Sequence, residues 1–281
     1  MLFRALSIPA IFIAVPVLGY FAICVMLFFR QDRMIFFPTV YAEKEFDALA
    51  ATAGFEPWVD ADGGRLGWKK LNPNATRSVM FCHGNAGSAV DRFDLRLYLD
   101  QGPAVDLYLL EYPGYGARSG KPSESSLVAA AVEAIDAIGK TSANPLWIIG
   151  ESLGTGVASA AAAQRPNAVD ALILVTPFDS LVGAAQVLYP WLPVSGLMRH
   201  RFDSIKNLAA FQNPVALVIA GDDRTTPPKL AQRLAENIGA PSRTWLIEGA
   251  GHNDTDLLFA DWPQIAAWLA AAGSVHSNGS H

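Results

Sequence analysis

The longest hydrophobic stretch of the chain lies near its N-terminus. Residues 5–29 contain no charged side chain, and apolar residues occupy positions all around the predicted helix. About 20 such residues cross a bilayer. Arg30, Asp32 and Arg33 follow, where a secretory signal would have a small-residue cleavage site. The pattern predicts an uncleaved, single-pass membrane anchor over residues 1–33. A cleaved signal peptide or a buried hairpin is the alternative.

After the anchor, short apolar runs alternate with helical segments. A helical turn and a strand are predicted within residues 46–59, and glycines at 63 and 64 join that strand to a second one at 65–71. Further strands are predicted at 78–82, 105–110, 146–149, 168–175, 215–220 and 244–247, and helices at 88–99, 123–138, 155–164, 228–238 and 254–271. Such alternation requires a parallel sheet covered on both faces. We therefore predict an α/β domain over residues 34–272.

Two segments depart from this alternation. Residues 189–211 contain prolines and aromatic residues, and they predict a small insertion that is either a lid over the sheet or an ordinary connector. Residues 273–281 are small and polar, which predicts a disordered tail.

Composition and charge narrow the class of partner and the compartment. The 281 residues have a formal net charge of −5, so the sequence disfavours a nucleic-acid partner. Cys24 and Cys82 lie in the anchor and in a predicted buried strand, and neither is placed for a disulfide. More Lys and Arg residues follow the anchor than precede it, which weakly favours a cytoplasmic catalytic domain.

The turn between the strand at 146–149 and the next helix carries the clearest chemical signal. Residues 150–154 read G-E-S-L-G, which fits the G-x-S-x-G pattern of a nucleophile elbow. Small residues on both sides of Ser152 let the strand and the helix approach closely, and the strained turn exposes the hydroxyl. The alternative is a glycine-rich turn in which Ser152 only caps the helix.

A serine nucleophile needs a base with a pKa near neutral, and the chain offers five histidines. His252 follows the last predicted strand in a glycine-rich loop, at the sheet edge where Ser152 is expected. His83 is expected to support a turn, and His200 is expected at the surface. His276 and His281 belong to the polar tail.

The base in turn needs a carboxylate that orients it. Asp222 and Asp223 follow the strand at 215–220, and Asp179 follows the strand before it. All three lie between the serine and the histidine in the chain, which gives the order serine, acid, histidine found in one class of such triads. Asp223 is favoured, whereas Asp179 can simply cap a helix, and Asp222 remains open.

An oxyanion hole requires two N–H donors. The backbone N–H of Leu153, at the start of the helix, would be one. The other must come from the loop at residues 83–87, where we predict the backbone N–H of Asn85. This loop lacks the G-K-[ST] ending of a phosphate-binding loop and the G-x-G-x-x-G spacing of a dinucleotide site.

Four motifs in this order resemble those of the α/β-hydrolase superfamily, and most closely its membrane-anchored serine hydrolases. They are H-G-N-A-G at 83–87, Y-P-G-Y-G at 112–116, G-E-S-L-G at 150–154 and H-N-D-T at 252–255. The resemblance implies an α/β-hydrolase fold with an eight-stranded sheet, the triad Ser152, Asp223 and His252, and hydrolysis without a cofactor or metal.

The resemblance and the anchor together predict a membrane-tethered hydrolase of small acyl esters or thioesters. The aromatic residues of the insertion suggest a fatty-acyl substrate presented by membrane lipid. A serine peptidase uses the same triad on the same fold, but the chain lacks the length for the extra domain that sorts peptides. A non-catalytic membrane scaffold is the other alternative, although it would have no need of all three triad residues.

Overall fold

The computed structural model describes residues 8–277. Its strands are β1 (Phe37–Pro38), β2 (Glu56–Val59), β3 (Arg65–Lys70), β4 (Arg77–Cys82), β5 (Ala86–Gly87), β6 (Val105–Leu110), β7 (Leu146–Glu151), β8 (Ala171–Val175), β9 (Val215–Ala220) and β10 (Ser242–Ile247). Its helices are α1 (Ile8–Ile35), α2 (Asp47–Ala53), α3 (Leu95–Leu99), α4 (Glu124–Thr141), α5 (Leu153–Gln164), α6 (Leu181–Leu188), α7 (Val194–Leu197), α8 (Ser204–Leu208), α9 (Pro228–Glu236), α10 (Thr255–Leu258) and α11 (Trp262–Ser277).

Eight strands form one sheet in the order β10-β9-β8-β7-β4-β6-β3-β2. β3 pairs antiparallel with β2 and with β6, whereas the other neighbours run parallel. The predicted mostly parallel, eight-stranded sheet is therefore confirmed. Because the parallel strands share one direction, their carboxyl ends meet at one edge, where ligands bind in such sheets.

Both faces of the sheet are covered, which explains the continuous apolar strands. Every residue of β8 and of β9 is buried. Successive residues alternate between the two hydrophobic clusters, as Ile148 and Trp147 show on β7. A strand that is buried on both faces has no polar side, so its sequence reads as an unbroken apolar run.

The apolar helix α1 stands apart from this core. Its segment Ala14–Ile35 is long and apolar enough to cross a membrane. Large side chains such as Leu18 and Phe21 are exposed, each at 65%. From Tyr20 onward α1 also packs on the domain, where Cys24 belongs to a buried cluster with Leu192 and Val194. Exposed apolar side chains along a whole helix suit a lipid environment.

The C-terminal part differs from its prediction in two ways. The helix expected over 254–271 is divided into α10 and α11, and α11 continues to Ser277. α11 therefore includes residues 273–277 of the segment predicted as a disordered tail, while 278–281 lie outside the described residues. Buried Trp262, Ile265 and Leu269 fix the start of α11, and strong helix formers such as alanine propagate it from there.

Candidate active site

Ser152 occupies a strained turn between β7 and α5. Its backbone has φ 52° and ψ −119°, a region that residues with a side chain rarely adopt. Its N–H donates to the carbonyl of Val175 at 2.9 Å, and its carbonyl accepts from the Thr155 hydroxyl at 2.7 Å. The surrounding hydrogen bonds therefore hold the turn in the conformation that presents the serine hydroxyl at the sheet edge.

The glycines of the elbow permit this close approach. A Cβ on Gly150 would lie 2.5 Å from the carbonyl oxygen of Gly154. A Cβ on Gly154 would lie closer still to the backbone carbonyl of Cys82, in the neighbouring β4. Both obstacles are backbone atoms, which cannot rotate away, so each position requires glycine.

Gly154→Ala is expected to destabilise the fold by about 3 kcal/mol or more, because the new methyl group overlaps backbone of β4. Gly139→Ala is the matched control. Gly139 lies on the exposed side of α4 with nothing within 4 Å of an added Cβ, and the change should stabilise by roughly 0.5–1 kcal/mol. Thermal unfolding in detergent would measure both. Equal melting temperatures for the two variants would contradict the steric argument.

His252 faces the serine from the loop after β10. Its Nε2 lies 2.9 Å from Ser152 Oγ, and its Nδ1 lies 2.7 Å from Asp223 Oδ2. The imidazole is 13% exposed and the Asp223 side chain only 1%. A hydroxyl, an imidazole and a buried carboxylate in this sequence of contacts form the arrangement that general-base activation of a serine needs.

Asp223 is held as a carboxylate by several donors. Its Oδ1 accepts the backbone N–H groups of Thr225 and Thr226 at 2.7 and 2.8 Å, and its Oδ2 accepts the Thr226 hydroxyl at 2.8 Å. Burial alone would raise the pKa of this carboxyl, but the hydrogen bond and charge of His252, with the Thr226 donors, leave the pKa below its usual value. The group is therefore ionised when it faces the imidazole.

The other candidate acids have different surroundings. The Asp222 side chain is exposed, and its backbone N–H donates to the carbonyl of Ala250 at 2.9 Å. Asp179 forms an ion pair with Arg233 at 2.5 Å and accepts the N–H of Ser180. Burial raises the pKa of Asp179. Of the three acids, Asp223 is the one that His252 contacts.

Two further histidines and a cysteine are buried, and they do not contact the serine hydroxyl in the way that His252 does. His83 lies 3.5 Å from the fully buried Glu111, as a supporting residue would. The expected surface position of His200 is wrong, because it is only 8% exposed and its Nε2 lies 2.8 Å from Asp32 of α1. Burial raises the pKa of the Cys82 thiol to about 12, so Cys82 stays neutral and is no competing nucleophile. The side chains of His276 and His281 lie outside the described part of the chain.

Asn85 and Leu153, the predicted oxyanion donors, line the same pocket as Ser152. The Leu153 N–H belongs to the first turn of α5, where backbone donors have no partner within the helix. The loop at residues 83–87 is held in place at Asn85. The backbone carbonyl of Asn85 accepts from the Phe37 N–H and from the Tyr115 hydroxyl, each at 2.8 Å. Its side-chain amide donates to the carbonyl of Ile35 at 2.9 Å.

Three supporting residues were not predicted from the sequence. Thr226 braces the acid, and Glu111 accepts the Tyr41 hydroxyl at 2.9 Å beneath the loop at residues 83–87. Arg92 forms a two-pronged ion pair, at 2.7 and 3.0 Å, with the residue that precedes Ser152. The signal for Thr226 was available, since an Asp followed by Thr at the third position often closes a local hydrogen-bonded turn.

The pocket around Ser152 has a volume of about 210 Å³ and an apolar wall. α1 supplies Met34 and Ile35, and residues 181–198, which we call the cap, supply Tyr189 and Met198. Within residues 8–277, no group of three or more His, Cys, Asp or Glu side chains is placed to hold a metal ion.

Comparison with known proteins agrees with this architecture. The family model of the alpha/beta hydrolase fold matches residues 77–202, and the chain belongs to the α/β-hydrolase superfamily. It is 35% identical over 262 residues to the uncharacterized protein Rv2307c of Mycobacterium tuberculosis, covering 91% of this chain and 90% of that protein.

A second relative adds the hydrolase character, and a solved structure adds support for the fold. The chain is 30% identical over 209 residues to the lysophosphatidylserine lipase ABHD12 of Xenopus tropicalis, covering 66% of this chain but only 53% of that protein. The structure of Est1E from Butyrivibrio proteoclasticus, with bound ferulic acid, matches at a TM-score of 0.63 and 15% identity, covering 77% of this chain and 100% of that one. The lipase relative supports hydrolase activity, and Est1E supports the fold.

Proposed function

We propose that the protein is a serine hydrolase that cleaves carboxylic esters or thioesters through an acyl-enzyme. The observation that carries this proposal is the continuous chain of contacts from Ser152 Oγ through His252 to Asp223, at 2.9 and 2.7 Å. His252 takes the proton of Ser152 as the hydroxyl attacks the acyl carbonyl, and Asp223 orients the imidazole and stabilises its charged form.

The remaining steps follow from the same side chains. The backbone N–H groups of Leu153 and Asn85 stabilise the negative oxygen of the tetrahedral intermediate. His252 then gives its proton to the leaving alcohol or thiol, which leaves the acyl group on Ser152. Water attacks this ester with His252 again acting as the base, and the carboxylic acid is released.

We further propose that the reaction takes place at a membrane. The segment Ala14–Ile35 can anchor the chain, and residues 34–272 form the catalytic domain. The lipase name of the ABHD12 relative motivates a lipid or fatty-acyl substrate, although the chain spans only about half of that protein. The excess of Lys and Arg after the anchor favours a cytoplasmic orientation of the catalytic domain.

Ester hydrolysis by the full chain in membranes tests the proposal. We expect turnover of acyl esters and thioesters, with peptide anilides cleaved at least about 100-fold more slowly. Protein that has first been inactivated with a fluorophosphonate is the control, and it should retain no turnover. Faster cleavage of peptide anilides would favour the peptidase alternative, and a folded protein with no turnover of any substrate would favour the scaffold.

A further inference from the structure

An apolar groove of about 250 Å³ lies between α1 and the cap, directly beside the pocket at Ser152. The two cavities share five lining residues, namely Met34, Ile35, Ala185, Tyr189 and Met198. The groove beyond them is lined by aliphatic and aromatic side chains and by one polar one, Gln31. Together the cavities reach the size of ordinary small-molecule sites.

α1 is bound to the cap by hydrogen bonds as well as by apolar contacts. Gln31 accepts the Arg199 N–H at 2.7 Å, and it donates to the carbonyl of Leu197 at 3.2 Å. Towards the other end of the groove, the Tyr20 hydroxyl donates to the carbonyl of Trp191 at 2.9 Å. These contacts hold α1 against the cap at two levels, so α1 forms one wall of the groove.

The length of the groove corresponds to a long acyl chain. Its α1 wall runs from Ile23 to Ile35, 12 positions along the helix, which is about 18 Å at the helical rise of about 1.5 Å per residue. An extended chain advances about 1.2 Å per single bond, since three bonds of a polypeptide span about 3.6 Å. The groove therefore matches about 15 carbon atoms.

The charges on both walls indicate that the groove faces the hydrocarbon of a bilayer. The cap carries no charged residue between Leu181 and Met198, and charge begins again at Arg199. On α1, the residues that contact the cap before Arg30 belong to the uncharged run at residues 5–29. Trp191, at the far end of the groove, is 58% exposed. Over this far part of the groove, before Arg30, the walls are uncharged and carry exposed apolar residues, which is compatible with lipid contact and costly in water.

We propose that this groove binds the acyl chain of a membrane lipid, which enters sideways from the bilayer between α1 and the cap. The acyl chain lies along α1, and the ester or thioester carbonyl reaches Ser152 at the closed end. The proposal rests on the hydrolase function above and adds the substrate class, an acyl group of about 14 to 16 carbons. It also makes the membrane helix part of the substrate site.

Leu27→Trp tests the groove, with Leu18→Trp as the matched control on the same helix. Leu27 lines the groove eight positions before Ile35, whereas Leu18 is exposed outside it. For wild type, we expect kcat/KM to rise at least about tenfold from butyryl to palmitoyl esters. In Leu27→Trp the palmitoyl-to-butyryl ratio should fall at least about tenfold, with the optimum near ten carbons, because the indole blocks the groove about 12 Å from Ile35. Leu18→Trp should stay within about twofold of wild type.

The possible outcomes distinguish failure of the proposed acyl-chain groove from failure of the proposed hydrolase function. An unchanged ratio in a Leu27→Trp protein that still reacts with a short fluorophosphonate would overturn the groove and leave the hydrolase function intact. A wild type that neither turns over butyryl esters nor reacts with fluorophosphonate would overturn both.

A measurement on the wild type is independent of how the variant folds. A fluorophosphonate with a 14-carbon chain and a terminal diazirine should attach at Ser152 and, after irradiation, cross-link to residues 20–30 of α1 or 189–198 of the cap. Peptide mass spectrometry locates the cross-link. Cross-links found only in other parts of the domain would contradict the proposed path of the acyl chain.

Discussion

Replacing Ser152 by alanine is expected to lower kcat for ester hydrolysis by a factor of about 10⁴ or more. The reason is that His252 then has no described hydroxyl beside it to form the acyl-enzyme. The imidazole of His252, which lies 2.9 Å from Ser152 Oγ, would keep its contact with Asp223 but have no hydroxyl to deprotonate. The steady-state rate with a butyryl ester measures the effect.

Ser159→Ala provides the matched control for this substitution. Ser159 is also a buried serine of the same region, and its hydroxyl only donates to the Thr155 carbonyl within α5, at 2.7 Å. We expect its activity to remain within about twofold of wild type. A Ser152→Ala protein that kept more than a tenth of the wild-type rate would show that another residue is the nucleophile.

Asp223→Asn is expected to lower kcat by about 10⁴, the effect known for the corresponding change in another serine triad. An amide in place of the carboxylate can present an N–H to His252 Nδ1 and so favour the wrong tautomer. Asp222→Asn is the matched control, since it is the same change one residue earlier on an exposed side chain. It should stay within about threefold of wild type.

The Asp223→Asn variant also tests a prediction about how stability depends on pH. The pKa of Asp223 is lower in the folded protein than its usual value, so its ionisation stabilises the fold above the unfolded pKa of about 3.9. This contribution is lost as the pH falls through the folded pKa. The difference in melting temperature between wild type and Asp223→Asn should therefore shrink as the pH is lowered from 6 to 3. A difference that grew in acid would contradict the assigned direction.

Local sequence signals predicted the sheet and the position of the serine. Strands such as β8 are buried on both faces and are apolar throughout, so their sequence shows them directly. The elbow was visible because backbone crowding at Gly150 and Gly154 admits no side chain. His252 emerged because few histidines follow a strand at that edge.

Contacts between distant parts of the chain were not predictable. His200 contacts Asp32, which lies 168 positions earlier, and nothing near His200 in the sequence indicates that partner. α1 is apolar around its whole circumference, so its pattern does not show which side packs against the cap. For the same reason the groove between them could not be foreseen, although residues 189–198 of the cap fall within the insertion predicted at 189–211.

The most direct test of the account is to locate a fluorophosphonate adduct on the full-length wild-type protein in membranes by peptide mass spectrometry. The account predicts one adduct per chain, on Ser152, with ester hydrolysis lost in proportion to the labelled fraction. An adduct on any other serine, or none on correctly folded protein, would contradict the assignment of Ser152 as the nucleophile.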